Sequence, residues 1–338
     1  MTESDTTRPR VLVAIPREFR DRLFTPATWA RLTDAADVVL SPSEGALESP
    51  AVDALLGATD VLLTGWGSGA SSPDWVDRAP RLKAVIHAAG SVRWFMDERV
   101  FARGILVSSQ AEENGRPVAE YTVAMILLAA KSVFRVEREF RLSRAAYPLD
   151  TFTGGGFGTP VGIIGASRIG RRVLRLLRSF DLDVRVHDPF LSERDARSLG
   201  VRLVGLDELF ERSAVVSLHA PLLESTRGMI GRRHFERMPD HAVFINTARG
   251  ALVDQDALIT EVATGRIDAV IDVTDPEVLP PDSPLWDLPN VILTPHMAGS
   301  VGNEVPRLGR GAVDEVVRFA SGEPLRHRID EQAFPFSA

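Results

Sequence analysis

Cysteine is absent from the 338 residues of this chain, and lysine occurs only at Lys83 and Lys131. The absence of cysteine excludes disulfides, thiolate metal sites and cysteine nucleophiles, and it is compatible with a reducing compartment. No cluster of other metal ligands is evident, so we predict no metal site.

Long apolar runs and blocks of one charge are also missing. The longest apolar run, at 123–130, is far shorter than the ~20 residues that cross a bilayer, and it predicts a core helix. The 39 basic residues are scattered among 46 acidic ones, for a net charge of −7, which argues against a nucleic-acid partner. The polar start MTESDTTRPR lacks the apolar segment of a signal peptide, so we expect a cytoplasmic protein without a membrane partner.

What remains is an ordinary globular composition, 44% hydrophobic and 25% charged, in a chain long enough for two domains. Short apolar runs alternate with helical patterns throughout, which is typical of α/β folds with parallel sheets. Two sets of strands are predicted. They lie at Val11–Ile15, Asp37–Leu40, Val61–Thr64, Ala84–His87 and Ile105–Ser108, and at Val161–Ile164, Val184–His187, Ala214–Leu218, Ala242–Asn246, Ile267–Asp272 and Val291–Thr294.

Between the two sets, a long helical pattern begins at Pro117 and continues into an arginine-rich stretch that ends near Arg144. We place a domain boundary here. The last helical pattern, at 303–320, ends at Ser321 and Gly322, and we predict no strand after it. This helix must therefore pack on an element formed earlier in the chain.

The segment VGIIGASRIG lies between a predicted strand and a predicted helix at 171–180. Gly165, Ser167 and Gly170 occupy the glycine positions of the dinucleotide fingerprint G-x-G-x-x-G, with serine in place of the second glycine. The two glycines permit a tight turn and close helix packing, and the helix N-terminus offers N–H groups to a pyrophosphate. We expect the Ser167 hydroxyl to donate to a phosphate oxygen and the dinucleotide to bind with moderate affinity.

Asp188 follows Gly170 by 18 positions at the end of the next strand, close to the ~20 residues expected for the carboxylate that binds the adenosine ribose. A carboxylate there accepts a hydrogen bond from the 2′-hydroxyl and repels a 2′-phosphate. The spacing therefore favours NAD over NADP.

Three late segments each place a functional side chain just after an apolar run: FINTARG holds Arg249, DVTDPE holds Glu277 and NVILTPHMAG holds His296. A guanidinium can bind a carboxylate through two hydrogen bonds. An imidazole can transfer a proton near neutral pH, and a neighbouring carboxylate favours its protonated form. This combination suits a 2-hydroxy acid or a 2-keto acid.

With these motifs in this order, the chain resembles the D-isomer-specific 2-hydroxyacid dehydrogenases, among them phosphoglycerate dehydrogenases and glyoxylate or hydroxypyruvate reductases. The likeness extends over nearly the whole chain. Further matching segments are NGRPVAEYTVAMILL, SLHAPLLESTRGMI, ALVDQDAL and SPLWDLPNV.

The resemblance implies a Rossmann-type cofactor domain at 111–298, inserted into a discontinuous, flavodoxin-like substrate domain at 1–110 and 299–338. Both domains are expected to be doubly wound parallel sheets, with the active cleft between them and the last helix packed on the first sheet. Residues 131–157 correspond to the dimerisation arm of the family, so the resemblance also implies a homodimer.

By the same resemblance, Arg249 holds the carboxylate and the 2-oxygen of the substrate, His296 is the acid and base, and Glu277 pairs with the imidazole. Hydride passes between the nicotinamide and C2 of the substrate. Asp272 is similar to the residue that meets the nicotinamide carboxamide. Together with Gly165, Ser167, Gly170, Asp188 and Asp272, the resemblance assigns cofactor binding to Arg168, Ile169, His219, Pro221, Thr226, Thr247, Ala248 and Gly299.

Substrate contacts are expected from TGWGSG, through Trp66 and Gly67, and from AAGSVRWFMDE, through Gly90, Ser91 and Arg93. The second segment departs from the glycine-rich G-x-G-x-D of the family. We therefore hypothesise that Trp66 and Arg93 select a substrate larger or more acidic than glyoxylate.

Two alternatives share this fold. Formate- or phosphite-type oxidation is one, but formate oxidation in the family pairs the histidine with glutamine, so Glu277 argues against it. The other is an NADH-sensing corepressor that binds partner proteins without significant turnover, which the sequence leaves open.

Overall fold

The computed structural model describes residues 8–69, 73–148 and 154–336. The chain divides into two compact units, Met1–Asn114 with Ser300–Ala338, and Gly115–Gly299. Across the described ranges, no single helix is long and apolar enough to cross a membrane. Only α5 (Ala111–Ala130) and α6 (Val133–Ser143), bent by 53° to each other, reach that length and composition as a pair.

The first unit is built on a six-stranded sheet in the order β13-β5-β4-β3-β1-β2, in which only β13 is antiparallel. The five parallel strands have the flavodoxin-like order 2-1-3-4-5. The strands are β1 (Arg10–Ala14), β2 (Asp37–Leu40), β3 (Val61–Thr64), β4 (Ala84–His87), β5 (Leu106–Ser109) and β13 (Arg328–Ile329).

Helices cover both faces of this sheet, so successive residues of its strands are buried on opposite sides. On β1, Leu12 packs into one apolar cluster with Trp75, while Val13 packs into the other with Leu308 and Val313 of the last helix. The α-helices are α1 (Arg17–Leu23), α2 (Pro26–Ala35), α3 (Pro50–Leu56), α4 (Arg99–Ala102) and α12 (Val305–Ala320), with 3-10 turns at Pro73–Val76, Gly302–Glu304 and Phe334–Phe336.

The second unit contains a seven-stranded, entirely parallel sheet in the order β12-β11-β10-β9-β6-β7-β8. The order reverses between β6 and β9, which is the switch point where open α/β sheets bind ligands. The strands are β6 (Pro160–Ile164), β7 (Asp183–His187), β8 (Arg202–Leu203), β9 (Val215–Leu218), β10 (Val243–Asn246), β11 (Asp268–Ile271) and β12 (Val291–Leu293).

This sheet is also buried on both faces: Phe244 and Ile245 of β10 belong to different apolar clusters. The prediction of two doubly wound sheets, one of them Rossmann-type, is confirmed. The remaining α-helices are α7 (Arg168–Leu177), α8 (Glu193–Leu199), α9 (Leu206–Arg212), α10 (Arg232–Phe235) and α11 (Gln255–Ala263), with 3-10 turns at Glu224–Thr226, Gly250–Leu252 and Pro284–Trp286.

Several details of the predicted elements were wrong. The second sheet has a seventh strand, β8, that was not predicted, and the helical pattern from Pro117 to Arg144 is two helices, α5 and α6, bent by 53° to each other. A strand does follow the last helix, since β13 pairs with β5; two residues are too few to give an alternating pattern. Helix α5 begins at Ala111 rather than Pro117, because its polar first turn, with Glu112 and Glu113, is stabilised by the helix dipole and carries no apolar signal. Helix α7 begins three residues early because Ser167 caps it.

Candidate active site

The glycine loop leaves β6 at the switch point and enters α7. Gly165 has φ +95°, and a Cβ there would lie 2.6 Å from the backbone nitrogen of Ala220. A Cβ on Gly170 would overlap the carbonyl oxygen of Gly165. Any larger residue would push the turn away from the helix N-terminus, so the loop has the compact form that a pyrophosphate site requires.

Ser167 is the N-cap of α7. Its hydroxyl accepts a hydrogen bond from the Gly170 N–H at 3.3 Å and donates to the His219 carbonyl at 2.7 Å. A hydroxyl has a single hydrogen, and here it points to the protein. This geometry does not support the expectation that Ser167 donates to a phosphate, because the neighbouring β9 loop offers an acceptor that the sequence does not reveal.

Asp188 lies at the end of β7 beside this loop. One carboxylate oxygen accepts the Ala166 N–H at 2.6 Å and the other accepts the Phe190 N–H at 2.8 Å. The carboxylate thus stands next to the glycine turn with acceptor capacity left on both oxygens. The glycine cradle, the helix N-terminus and this carboxylate together fit a dinucleotide, with the pyrophosphate at α7 and the ribose at Asp188.

The loop after β9 contributes a buried histidine. The Nε2 of His219 lies 2.9 Å from the Ser217 hydroxyl, and burial lowers the pKa of His219 to about 4. Its imidazole is therefore neutral at physiological pH. Further along, the Thr226 hydroxyl donates to the carbonyl of Pro221 at 2.7 Å, a hydrogen bond that joins the two ends of the segment 221–226.

Arg249 stands on a turn that begins where β10 ends. The Asn246 side chain donates to the Arg249 carbonyl at 3.1 Å and accepts the Ala248 N–H at 3.0 Å. The guanidinium donates to the Ala248 carbonyl at 2.6 Å. The buried Thr247 hydroxyl lies 2.9 Å from that of Thr122 on α5, which holds the start of the turn.

The Arg249 turn packs directly on the loop that carries Glu277. A Cβ on Gly250 would overlap the carbonyl group of Thr274, so only glycine permits this approach. The Thr274 hydroxyl in turn lies 2.8 Å from the Pro276 carbonyl and 3.0 Å from the Glu277 carbonyl, and so braces the loop that carries Glu277. Two strand ends that are neighbours in the sheet are thereby fixed to each other.

Glu277 and His296 form a direct pair. The Oε1 of Glu277 lies 2.5 Å from the Nδ1 of His296, and the two side chains are 60% and 48% exposed. Because Nδ1 faces the carboxylate, Nε2 is the nitrogen left for a ligand. The structure thus brings this predicted pair together at the ends of β11 and β12 and keeps it accessible.

Asp272, 2% exposed, fixes the backbone around His296. Its carbonyl accepts the His296 N–H at 2.9 Å. Its carboxylate accepts the N–H groups of Met297 at 2.9 Å and Ala298 at 3.0 Å, and the Thr294 hydroxyl at 2.6 Å. His296 itself has φ +52°, a conformation that a residue with a side chain keeps only when its surroundings impose it.

In the first unit, the predicted substrate loops follow β3 and β4. Trp66 is half-buried, its ring 6.3 Å from that of Phe19, and Gly67 has φ +73° against Pro16. The Trp94 ring lies so close over Gly69 that a Cβ there would overlap it, and it packs 4.7 Å from Phe95.

Of the residues in the loop after β4, Gly90 and Ser91 are half-buried and Arg93 is exposed. The Ser91 hydroxyl accepts the Arg93 N–H at 3.4 Å. Below this loop, the Nδ1 of His87 lies 2.9 Å from the Thr64 hydroxyl, which joins the ends of β4 and β3. Both loops thus rest on a buried polar link and an aromatic cluster.

Residues 123–298 match the family model described as D-isomer specific 2-hydroxyacid dehydrogenase, NAD binding domain, which is more than half of the chain. This chain belongs to the D-isomer-specific 2-hydroxyacid dehydrogenases. The predicted family and the NAD cofactor are confirmed. Twelve of the thirteen predicted cofactor residues lie within the matched range, and Gly299 directly follows it.

Relatives of known name support the membership. The chain is 33% identical over 260 residues to the glyoxylate reductase of Korarchaeum cryptofilum, covering 76% of this chain and 78% of that protein. It is 32% identical over 257 residues to the D-3-phosphoglycerate dehydrogenase of Archaeoglobus fulgidus, covering 75% of this chain and 48% of that protein. The chain thus spans about half the length of the D-3-phosphoglycerate dehydrogenases it matches.

Among solved structures, a D-lactate dehydrogenase from Aquifex aeolicus, complexed with NAD and lactic acid, superposes with a TM-score of 0.70. The two are 26% identical, and the match covers 93% of this chain and 96% of that chain.

Two residues near the candidate site were not predicted as part of it. Tyr121 and Thr122 are adjacent on α5 and reach Thr294 and Thr247, which precede the His296 and Arg249 loops. The available signal was a pair of hydrogen-bonding side chains just before the apolar run at 123–130 of this helix, where Thr122 is buried and needs a partner.

Proposed function

We propose that the protein is an NAD-dependent D-2-hydroxyacid dehydrogenase that works as a 2-keto acid reductase. The observation that carries the proposal is the Glu277–His296 pair, with Nε2 free of the carboxylate, next to a turn that presents Arg249. Family membership and the dinucleotide cradle support the same reading. We assign residues 111–298 to the cofactor domain and the remainder to the substrate domain.

In this proposal, the chain's own residues bind the substrate and move one proton. Arg249 binds the carboxylate and the 2-oxygen, because a planar guanidinium matches an α-keto acid. His296 donates a proton from Nε2 to the 2-oxygen during reduction and takes it back during oxidation. Glu277 accepts the Nδ1–H and stabilises the imidazolium. NAD(H), when bound, supplies or accepts the hydride at C2.

The test is NADH oxidation with glyoxylate, hydroxypyruvate, phenylpyruvate and 2-ketoglutarate, measured for the wild type and His296→Asn. We expect turnover that falls by about 10²–10⁴-fold in the variant, the range for loss of a general acid. His241→Asn is the matched control, since His241 is exposed and also has positive φ, +66°. NADH binding without turnover of any keto acid would overturn the proposal and favour the partner-binding sensor.

We also propose that Trp66 and Arg93 select a substrate larger or more acidic than glyoxylate. The half-buried Trp66 and the Trp94 ring over Gly69 give the loops of the first unit bulky aromatic surfaces, and Arg93 adds an exposed cation nearby in sequence. A clear preference for glyoxylate in the same assay would contradict this assignment.

The cytoplasm remains the predicted location.

We propose that the protein assembles as a homodimer. Helix α6 has no fully buried residue, and Phe140 and Leu142 are 53% and 78% exposed. Part of the predicted arm, 149–153, lies outside the described residues. Light scattering should give twice the chain mass for the wild type and for Leu40→Asp in the first unit, but a smaller mass for Leu142→Asp. A monomeric wild type would exclude the dimer.

A further inference from the structure

A chain of hydrogen bonds leads from α5 to the loop of His296. The Tyr121 hydroxyl lies 3.1 Å from the Thr294 hydroxyl, and Thr294 donates to the Asp272 carboxylate at 2.6 Å. Because Thr294 has one hydroxyl hydrogen and gives it to Asp272, Tyr121 must be the donor in the first bond. The chain therefore has a fixed direction and ends on a buried carboxylate.

The same residue, Asp272, holds the backbone at the His296 imidazole and just after it. Asp272 accepts the His296 N–H with its carbonyl, and the Met297 and Ala298 N–H groups with its carboxylate. These bonds hold the left-handed backbone of His296, which is uncommon for a residue other than glycine. Any rotation of Asp272 would move the imidazole.

We propose that Tyr121 is a positioning residue for His296, acting through Thr294 and Asp272 in the dehydrogenase reaction inferred above. Without the Tyr121 hydroxyl, the Thr294 hydroxyl loses the donor that orients it and is freer to turn away from Asp272. Burial raises the pKa of the Tyr121 phenol above its usual value of 10.0, so it remains a donor throughout the physiological range.

The chain has only two tyrosines, which supplies a matched control. Tyr147 also donates to a carboxylate, that of Glu139 at 2.5 Å, so Tyr147→Phe removes a comparable bond in a different place. We expect Tyr121→Phe to lower kcat about threefold to tenfold, the equivalent of one hydrogen bond, with KM nearly unchanged. Tyr147→Phe should leave kcat at the wild-type value. Equal kcat values for the two variants would overturn the proposal.

A double-mutant cycle tests whether Thr294 carries the effect. Thr294→Val breaks the chain after Tyr121, so adding Tyr121→Phe to it should lower kcat no further. Thr294→Ser keeps the hydroxyl and should restore most of the activity. Fold-changes that multiply in the double variant would show that Tyr121 acts by another route.

A readout independent of turnover separates this inference from the proposed function. The imidazole NMR signal of His296, one of seven histidines, can be assigned by its loss in His296→Asn. Tyr121→Phe should shift that signal, and Tyr147→Phe should not. An unshifted signal would overturn the positioning role. If the wild type reduces no keto acid, the dehydrogenase proposal fails, and this signal still decides whether Tyr121 positions His296.

Discussion

The Ser167 hydroxyl fixes the glycine loop through two hydrogen bonds to the protein itself. It caps α7 through the Gly170 N–H and joins the loop to the next strand end through the His219 carbonyl. The missing glycine of the fingerprint is thus replaced by a residue that strengthens the frame around the phosphate site. The backbone N–H groups of the helix remain the expected phosphate ligands.

We predict that Ser167→Ala lowers the free energy of unfolding by about 1 kcal/mol, since the cap is lost, and that Ser167→Gly lowers it by only a few tenths. Because the hydroxyl hydrogen points to His219, the Kd for NADH should stay nearly constant in both variants. Chemical denaturation and NADH titration provide the measurements. Ser192→Ala is the control for the loss of a helix cap, because the Ser192 hydroxyl accepts the Asp195 N–H at the start of α8. It should lower the free energy of unfolding by a similar amount and leave the Kd for NADH unchanged. A Kd weakened about tenfold in Ser167→Ala would instead indicate a direct phosphate contact.

At the scale of elements, the three side chains that we propose to be catalytic depend on loops that contact one another. Gly250 lets the turn after β10 lie on Thr274 of the loop after β11, and Asp272 at the end of β11 fixes the loop after β12. Each of these loops is thus positioned by a contact with the loop or strand end beside it in the parallel sheet. Gly250, the glycine of the TARG motif, is the residue that permits this contact.

Gly250→Ala should therefore separate the Arg249 turn from the Glu277 loop. We expect kcat/KM for the preferred keto acid to fall by about 10²-fold, as displacement of a positioning group by about 1 Å can do. Gly205→Ala is the control, since a Cβ at Gly205 meets no atom within 4 Å. Steady-state kinetics with both variants give the comparison, and equal kcat/KM values would contradict the packing argument.

At the scale of the whole molecule, buried histidines make stability depend on pH. Burial lowers the pKa of His87 from 6.5 to about 3 and that of His219 to about 4. In the unfolded chain both take up a proton below 6.5, while in the folded protein both stay neutral. The stability that they contribute is therefore complete above pH 6.5 and is lost as the pH falls towards their folded values.

We expect thermal unfolding of the first unit to shift to lower temperature between pH 7 and pH 4.5, and the shift to be smaller in His87→Asn. As the pH falls, the free energy of unfolding of the wild type should decrease faster than that of His87→Asn, by up to about 1.4 kcal/mol per pH unit, the limit for one proton. Asparagine can still reach the Thr64 hydroxyl. His241→Asn alters an exposed histidine and should follow the wild type. Parallel pH curves for His87→Asn and the wild type would show that His87 is not the titrating group.

The sequence alone was sufficient for the alternation of strands and helices, the two sheets, the position of the glycine loop and the chemical identity of Arg249, Glu277 and His296. These follow from local information: residue periodicity, spacing and functional-group chemistry act over a few neighbouring positions. The pairing of Glu277 with His296 was predicted from family resemblance, and the structure places the two side chains 2.5 Å apart.

Only the tertiary structure decided which polar groups meet. Tyr121 and Thr294 are 173 positions apart, and Ser167 and His219 are 52 apart. Such contacts depend on the order of the strands in the sheet and on the distance between their loops. Local sequence patterns determine neither of these. For this reason the sequence predicted the groups that we propose to react, whereas only the fold showed the hydrogen bonds that link Tyr121 and Thr294 to Asp272, and Asp272 to His296.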